Sequence, residues 1–346
     1  MTPDEKIIVR SPINSPGAWR GPELDQSRDW ILPITPDQQA ELMDATAAAR
    51  AEHIDLNELG PESSALPGLH SLIQEIESRI EDGRGLVVLR GLDLTGLTAE
   101  DAGMIFYALG QHMGRAIKQN AKGHLLGHVR DTGRDITKDP NVRGYQTRIG
   151  LPFHTDTSTD LLGLLCFQTA KEGGESFLAP LMTIYNEILR REPELIDTLY
   201  ETFHYDCREE KHPDGLPFYS RTAASFHAGK LSLRHNSGYA KSSQRHPDCP
   251  RLTEDQIRVM REIDRLSFDP EIHFSTRLER GDMLFLNNYQ VMHARSAFVD
   301  HEAPEKRRHL MRLWLHLHRG RELAPEFDNR GGLVTTDAQA NSGLGE

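Results

Sequence analysis

The chain has 346 residues, 37% of them hydrophobic, enough for one large domain or two ordinary ones. Its 52 acidic residues outnumber 40 basic ones, giving a net charge of −12. This balance argues against nucleic acid or an anionic membrane surface as the main partner, and leaves small anions open, because a local cluster of arginines can still hold one. Cys166, Cys207 and Cys249 are widely spaced and form no CxxC pair, which argues against a disulfide framework or a cysteine-based zinc site. The N-terminal MTPDEKIIVRSP has no apolar signal segment, and no apolar run approaches a membrane span. The expected compartment is the reducing cytoplasm.

Residues 1–30, rich in Pro, Gly and charge, are expected to form an extended arm. Thr35-Pro36-Asp37-Gln38 reads as a helix start, with a threonine cap, a proline at the first helical position and a glutamine completing a capping box. This helix should run to about His53. A second helix covers Leu69 to Glu81, with Leu69, Leu72, Ile73, Ile76 and Ile80 on one face, and stops before Gly83. A short buried strand spans Leu86 to Leu89, and Thr98 caps a third helix that ends at His112.

From about residue 115 short apolar runs alternate with turn residues, the texture of an all-β core. Strands are expected at 124–130, 160–169, 175–179, 203–206, 218–226, 230–234, 272–278, 283–286, 291–298 and 309–318. Two helices interrupt them, 183–191 (extended past Pro193) and 253–266, the second opened by a Thr253/Gln256 capping box. The loop 131–147 is too long for a plain connection and reads as a lid or binding loop. The tail 329–346 is Gly- and Asn-rich and reads as a flexible end. No internal repeat is present. The pattern gives a mainly β fold with flanking helices (α+β), a sandwich, jelly roll or barrel, in a single domain over 31–328. Its helical part is 31–114 and its β core 115–328.

Four features carry chemistry. His154 and Asp156 stand one residue apart, leading into an apolar run. On an extended strand residues i and i+2 share a face, so both can bind one metal ion. One imidazole and one carboxylate are two-thirds of the facial triad of non-heme Fe(II) oxygenases. Spacing alone does not separate this pair from His53/Asp55, His204/Asp206, His212/Asp214 or His246/Asp248, nor from a structural polar pair. The second feature is His293, which follows the apolar run Met283 to Leu286 and an Asn287-Asn288 turn. It suits a third ligand arriving from the opposite side of a barrel, or a satisfied core histidine. The third is the segment from Arg308 to His318, where a two-residue period puts Arg308, Leu310, Arg312 and Trp314 on one face and mostly apolar residues on the other. Buried arginines need partners, either a ligand carboxylate gripped by the guanidinium fork or an internal acidic residue. The fourth is Gly173-Gly174-Glu175-Ser176, where Ser176 either donates to the same carboxylate or simply follows a hairpin turn.

In this order the four features resemble the taurine dioxygenase and clavaminate synthase-like family of Fe(II)/2-oxoglutarate-dependent oxygenases. The likeness spans about residues 120–327 and is densest at 150–180 and 281–316. It implies a double-stranded β-helix (jelly-roll) core, with His154, Asp156 and His293 as the iron ligands. It also implies that Arg308, 15 residues after His293, binds the distal carboxylate of 2-oxoglutarate, with Ser176 assisting where the family usually has Thr or Ser. Arg312 would lie nearer the metal, over the substrate or the C1 carboxylate. The chemistry implied is oxidation, most often hydroxylation, of an unactivated C–H bond by O2, with 2-oxoglutarate going to succinate and CO2. In such sites the protein binds, orients and excludes competing reactions. An intact Asp156 argues against a halogenase, which needs that position vacant for halide.

Substrate contacts are expected from Gln119, Asn120, Tyr145, Thr147 and Arg148 before the metal motif, and from Arg221, Lys230 and Arg234 in the middle strands. Each is also open to a solvated or salt-bridged role. Basic residues near iron suit a carboxylate-bearing substrate such as an amino acid or small organic acid. No nucleic-acid or membrane partner is expected, and a homodimer is the base-rate expectation. Two other readings stay open. One is a cupin-like metalloenzyme that does not use 2-oxoglutarate and needs no Arg308/Ser176 clamp. The other is a non-catalytic metal- or ligand-binding β-barrel.

Overall fold

The computed structural model describes residues 6–328, apart from 121, 136, 140, 141, 209 and 211. The tail 329–346 lies outside the described residues. Two sheets form the core. The larger has seven strands, ordered Ile31–Pro33, Leu86–Arg90, Met283–Asn287, Leu161–Gln168, His309–Leu317 and Gly114–Ala116, with Leu126–Val129 also paired to His309–Leu317. The smaller has four, ordered Phe274–Thr276, Ser176–Pro180, Val291–Arg295 and Leu151–His154. Within both sheets every pairing is antiparallel except that of Ile31–Pro33 with Leu86–Arg90.

The apolar runs are continuous because both faces of the large sheet are covered. In Met283–Asn287, Met283 and Phe285 face a cluster built with the helices Pro36–Ala51, His70–Glu81 and Ala99–Met113. Leu284 and Leu286 point the other way, into a cluster with Leu178, Phe274 and Val291 of the small sheet. The same alternation runs along His309–Leu317: Met311, Leu313 and Leu315 face the helices, while Leu310 and Trp314 face the small sheet. The outer face of the small sheet packs on the helices Leu181–Arg191 and Glu254–Ser267. This is the jelly-roll arrangement, mainly β with flanking helices.

Several expectations are corrected. The N-terminal segment is more than an extended arm: it contains the helix Gly21–Ser27 and buries Trp19, Leu24 and Trp30. The indole N–H groups of Trp19 and Trp30 donate to the Arg84 and Leu24 carbonyls, at 2.9 Å each. Three large apolar side chains there outweigh the Pro- and Gly-rich composition. The strand expected at 86–89 is present as Leu86–Arg90, and the stretch 31–114 adds a second, unexpected strand, Ile31–Pro33. The helix Leu181–Arg191 stops at Glu192, which lies before Pro193 and takes φ −142°, ψ 62°; the proline ring disfavours helical backbone there. The expected strand 291–298 ends at Arg295, and Phe298–Val299 pairs instead with Glu172–Gly173. The strand expected at 218–226 is two, Phe218–Thr222 and Ala224–His227. The helix Ser237–Ser243 had no expectation attached to it, and the strand expected to carry His154 and Asp156 ends at His154, as Leu151–His154. Among the described residues no helix is long and apolar enough to cross a membrane.

Where the large sheet meets the helices, Phe285 packs against Phe106 with ring centroids 5.9 Å apart, over Gly163 on the neighbouring strand. A Cβ at Gly163 would lie 2.9 Å from Phe106. Phe285→Ala leaves a cavity at this fully buried point and should cost about 3–5 kcal/mol. The measurement is the urea midpoint, which should fall clearly below that of the wild type.

Candidate metal centre

The antiparallel pairing of Val291–Arg295 with Leu151–His154 sets His293 directly opposite His154. The two imidazole centroids are 4.3 Å apart. His293 therefore comes from the adjacent strand of the same sheet and not from the far side of the barrel. His154 ends its strand, and Asp156 follows in the irregular segment just beyond it. The path of that segment, and not the i/i+2 alternation of a continuing strand, brings Asp156 to the histidines. Asn288 holds it there: its Oδ1 accepts from the Asp156 amide at 2.8 Å, and its Nδ2 donates to the Asp156 and Thr159 carbonyls at 2.9 Å each.

One donor atom from each of His154, Asp156 and His293 lies within 4.8 Å of the other two. Ligands about 2.1 Å from a shared ion stand roughly 3–4 Å apart, so a modest contraction closes the set. The Nδ1 of His154 lies 2.8 Å from the Pro152 carbonyl. An N–H donated there leaves Nε2 with its lone pair free for a metal. Burial, and then the neighbouring His154, push the His293 imidazole down to about 3, so it stays neutral. Burial opposes ionisation of Asp156, but Arg312 and both imidazoles outweigh it and hold the carboxyl below its ordinary range. Trp314 donates its indole N–H to Asp156 Oδ2 at 2.8 Å. Two neutral imidazoles and one carboxylate on one side of an open cavity fit a divalent iron with positions left for other ligands.

That cavity, about 260 Å³, lies between the sheets. Arg308 enters it just before the strand His309–Leu317 and is only 4% exposed. Its Nη1 is buried with no hydrogen-bond partner, and no ion pair reaches it among the described residues. Burial pushes the guanidinium down to about 10. Ser176 lines the same cavity. The double glycine before it is a steric requirement. Gly173 has φ +71°, and a Cβ there would meet the Ala297 carbonyl oxygen at 2.2 Å; a Cβ on Gly174 (φ +77°) would meet Arg308 Nε at 3.0 Å.

Arg312 is fixed on every side. Its Nε donates to Gln119 Oε1 at 2.7 Å, and its guanidinium lies 4.7 Å from the Tyr145 ring and 4.4 Å from that of Trp314. Its Nη1 is 3.8 Å from Asp156 Oδ1. Gln119 is a bracket behind the wall, donating to the Arg312 and Leu125 carbonyls, and does not line the cavity. Asn120 turns back to accept from the Lys122 and His124 amides. Tyr145 does line the cavity, whereas Arg148 is exposed away from it. Arg234 lies under the Phe327 ring at 4.2 Å and lines only a small recess behind Asp156. Arg221 donates to the Asp328 carbonyl, and Lys230 pairs with Asp82.

Other wall residues carried no expectation. Arg143 from the long loop, paired with Glu210 at 3.0 Å, and Arg208, stacked 4.8 Å over Tyr239, line one part of the cavity. Arg295 lines it beside Arg308. Trp314 and Arg295 had a readable signal, since the one shares the face of Arg312 and the other is two residues from His293 on a strand. Arg143 and Arg208 lie outside the strands and helices, where no periodicity marks them.

Residues 40–314 match the family described as taurine catabolism dioxygenase TauD, TfdA family. The chain belongs to this family. TauD/TfdA proteins are dioxygenases, and this enzyme uses Fe(II), 2-oxoglutarate and O2. The chain is 31% identical over 323 residues to FR-33289 synthase of Streptomyces rubellomurinus, covering 91% of this chain and 93% of that protein. It is 28% identical over 321 residues to the taurine hydroxylase-like protein SAT17 of Stachybotrys chartarum, covering 89% and 80%. The fold is shared with an asparagine oxygenase solved with Fe(II), 3-hydroxyasparagine and succinate (TM-score 0.65, 15% identity, 83% of this chain and 93% of that one). It is also shared with the non-heme iron oxygenase OrfP, solved with Fe and α-ketoglutaric acid (TM-score 0.61, 15% identity, 82% and 93%).

Trp314→Phe removes the indole donor from Asp156 and keeps the bulk. Loss of a hydrogen bond that orients a ligand lowers metal affinity about 10–100-fold. Fe(II) titration should show a loss of this size, with the far-UV circular dichroism of the wild type retained.

Proposed function

We propose that this enzyme hydroxylates an unactivated C–H bond of a small carboxylate-bearing metabolite, an amino acid or small organic acid. Iron is held by His154, Asp156 and His293, and 2-oxoglutarate by Arg308 with help from Ser176. The observation that carries this reading is Arg308: a buried cation whose Nη1 has no hydrogen-bond partner and which makes no ion pair among the described residues, opening on the same cavity as the three candidate donors. Such a charge is costly unless an anion completes it. A cupin-like site that does not use 2-oxoglutarate has no need of it. The asparagine oxygenase and OrfP, solved with hydroxylated amino acids, support the substrate class, as does FR-33289 synthase the synthetic type of role.

Bound iron and 2-oxoglutarate supply the oxidising power from O2; the chain supplies position and exclusion. Among the described residues five arginines line the cavity, Arg143, Arg208, Arg295, Arg308 and Arg312, against one carboxylate, that of Asp156. This balance favours anionic ligands. Arg312, immobilised by Gln119 and two aromatic rings, is the residue that orients a substrate carboxylate toward the metal. Leu164, Leu178, Leu284 and Leu310 give the apolar walls that exclude water. The enzyme is placed in the cytoplasm on this reading, which its three free, buried cysteines suit.

Under anaerobic conditions, Fe(II) followed by 2-oxoglutarate should give a visible metal-to-ligand charge-transfer band. A wild type without the band, or a His293→Ala variant with an undiminished one, would sink the reading. Two arginine variants should separate the roles. Arg308→Gln should weaken 2-oxoglutarate binding roughly 10–100-fold, as expected for a lost charge-assisted contact. Arg312→Gln should instead raise the KM for the substrate that a succinate-release screen of amino acids and small acids identifies.

A further inference from the structure

Arg295 is two residues beyond His293 on the same strand, so its side chain points to the same face, into the barrel. Across the sheet its partner is Ser176. It is 6% exposed and lines the cavity together with Arg308. Both guanidinium groups lie against the ring of Phe298, at 4.8 Å for Arg295 and 5.1 Å for Arg308.

The two sides of the Arg295 guanidinium have different fates. Nη2 donates to the carbonyls of Thr147 and Ile149, at 2.7 and 2.6 Å. Those carbonyls belong to the end of the long loop, immediately before the strand that carries His154. Nε and Nη1 are buried and have no hydrogen-bond partner among the described residues. A structural latch alone accounts for Nη2 and leaves the other two nitrogens unexplained, since buried donors are otherwise nearly always satisfied. Two buried cations on one ring, with three orphaned nitrogens between them, make a cradle for an anion.

We infer that Arg295 is a second arm of the cosubstrate clamp, which binds the distal carboxylate of 2-oxoglutarate beside Arg308 and, through its hold on Thr147 and Ile149, couples cosubstrate binding to the position of residues 142–149. This rests on the cosubstrate reading above. Arg295 reaches both the ligand and the backbone with one planar group. Binding the anion on one side therefore fixes the orientation of the donor on the other. The loop so fixed contributes Arg143 and Tyr145 to the cavity wall, so the substrate side is organised after the cosubstrate arrives.

The test uses the Fe(II)-loaded enzyme under anaerobic conditions and two redox-inert ligands: N-oxalylglycine, which has the distal carboxylate, and oxamate, which lacks it. Calorimetry on Arg295→Gln should show N-oxalylglycine binding weakened by about tenfold or more, the loss expected of a charge-assisted contact, with oxamate binding within about twofold of the wild type. Trypsin gives a second readout, because Arg143 and Arg148 lie in this segment. N-oxalylglycine should slow cleavage there in the wild type and not in Arg295→Gln. Arg295→Lys, which keeps the charge without the fork, should retain part of the affinity and lose the protection; it also serves if the glutamine variant does not fold. Equal losses for the two ligands, or none for either, would reduce Arg295 to a structural latch and overturn the inference. A wild type that binds iron but not N-oxalylglycine would instead overturn the cosubstrate reading itself.

Discussion

The antiparallel register of Leu151–His154 on Val291–Arg295 is the constraint on which the site rests. It sets two imidazoles across from each other and points Arg295 and His293 into the same interior. A slip of one residue would turn every one of these side chains to the opposite face. The register is held from outside the pair. Val291–Arg295 is also zipped to Ser176–Pro180, and the outward faces of both strands are packed under helices. The tight turn at Asn287–Asn288 then leads from one sheet to the other. There a single asparagine side chain braces the Asp156 segment, so the carboxylate is tied to the chain that delivers the second histidine.

Charge shapes the interior as strongly as apolar packing does. The chain is acidic overall, yet among the described residues the cavity between its sheets is lined by five arginines and one carboxylate. Some of these cations are paired within the protein, as Arg143 is with Glu210. Arg308 and Arg295 make no ion pair among the described residues, and each keeps buried nitrogens without a hydrogen-bond partner. Unpaired buried cations oppose folding, and the many apolar contacts of the three packed clusters are what tolerate them.

Much of this was legible in the residues. The capping boxes at Thr35 and Thr253 start helices where their spacing says, because a cap is a local interaction. The alternation in His309–Leu317 separates the cavity face from the helix face, because both faces are buried and only period two satisfies them. The three candidate donors do converge, by another route than the spacing implies: Asp156 lies in an irregular segment past the strand, and His293 comes from the neighbouring strand. Neither fact has a local signature, since sheet partners are chosen by long-range packing. The pocket candidates fared unevenly for the same reason. Gln119 and Tyr145 both reach Arg312, one from behind and one from the cavity side, while Asn120, Arg148 and Arg234 are drawn to backbone groups or solvent. Composition alone hid the N-terminal tryptophans, which fill the sheet edge.

The indole of Trp314 touches the Asp156 carboxylate through its N–H and stacks on Arg312 through its ring. Of the three tryptophans in the chain, Trp19 and Trp30 spend their N–H groups on backbone carbonyls far along the sequence from the metal motif. Any change in the protonation or ligation of the Asp156 carboxylate is therefore a change in the surroundings of one of three indoles, and intrinsic tryptophan emission is the property in which it would be sought.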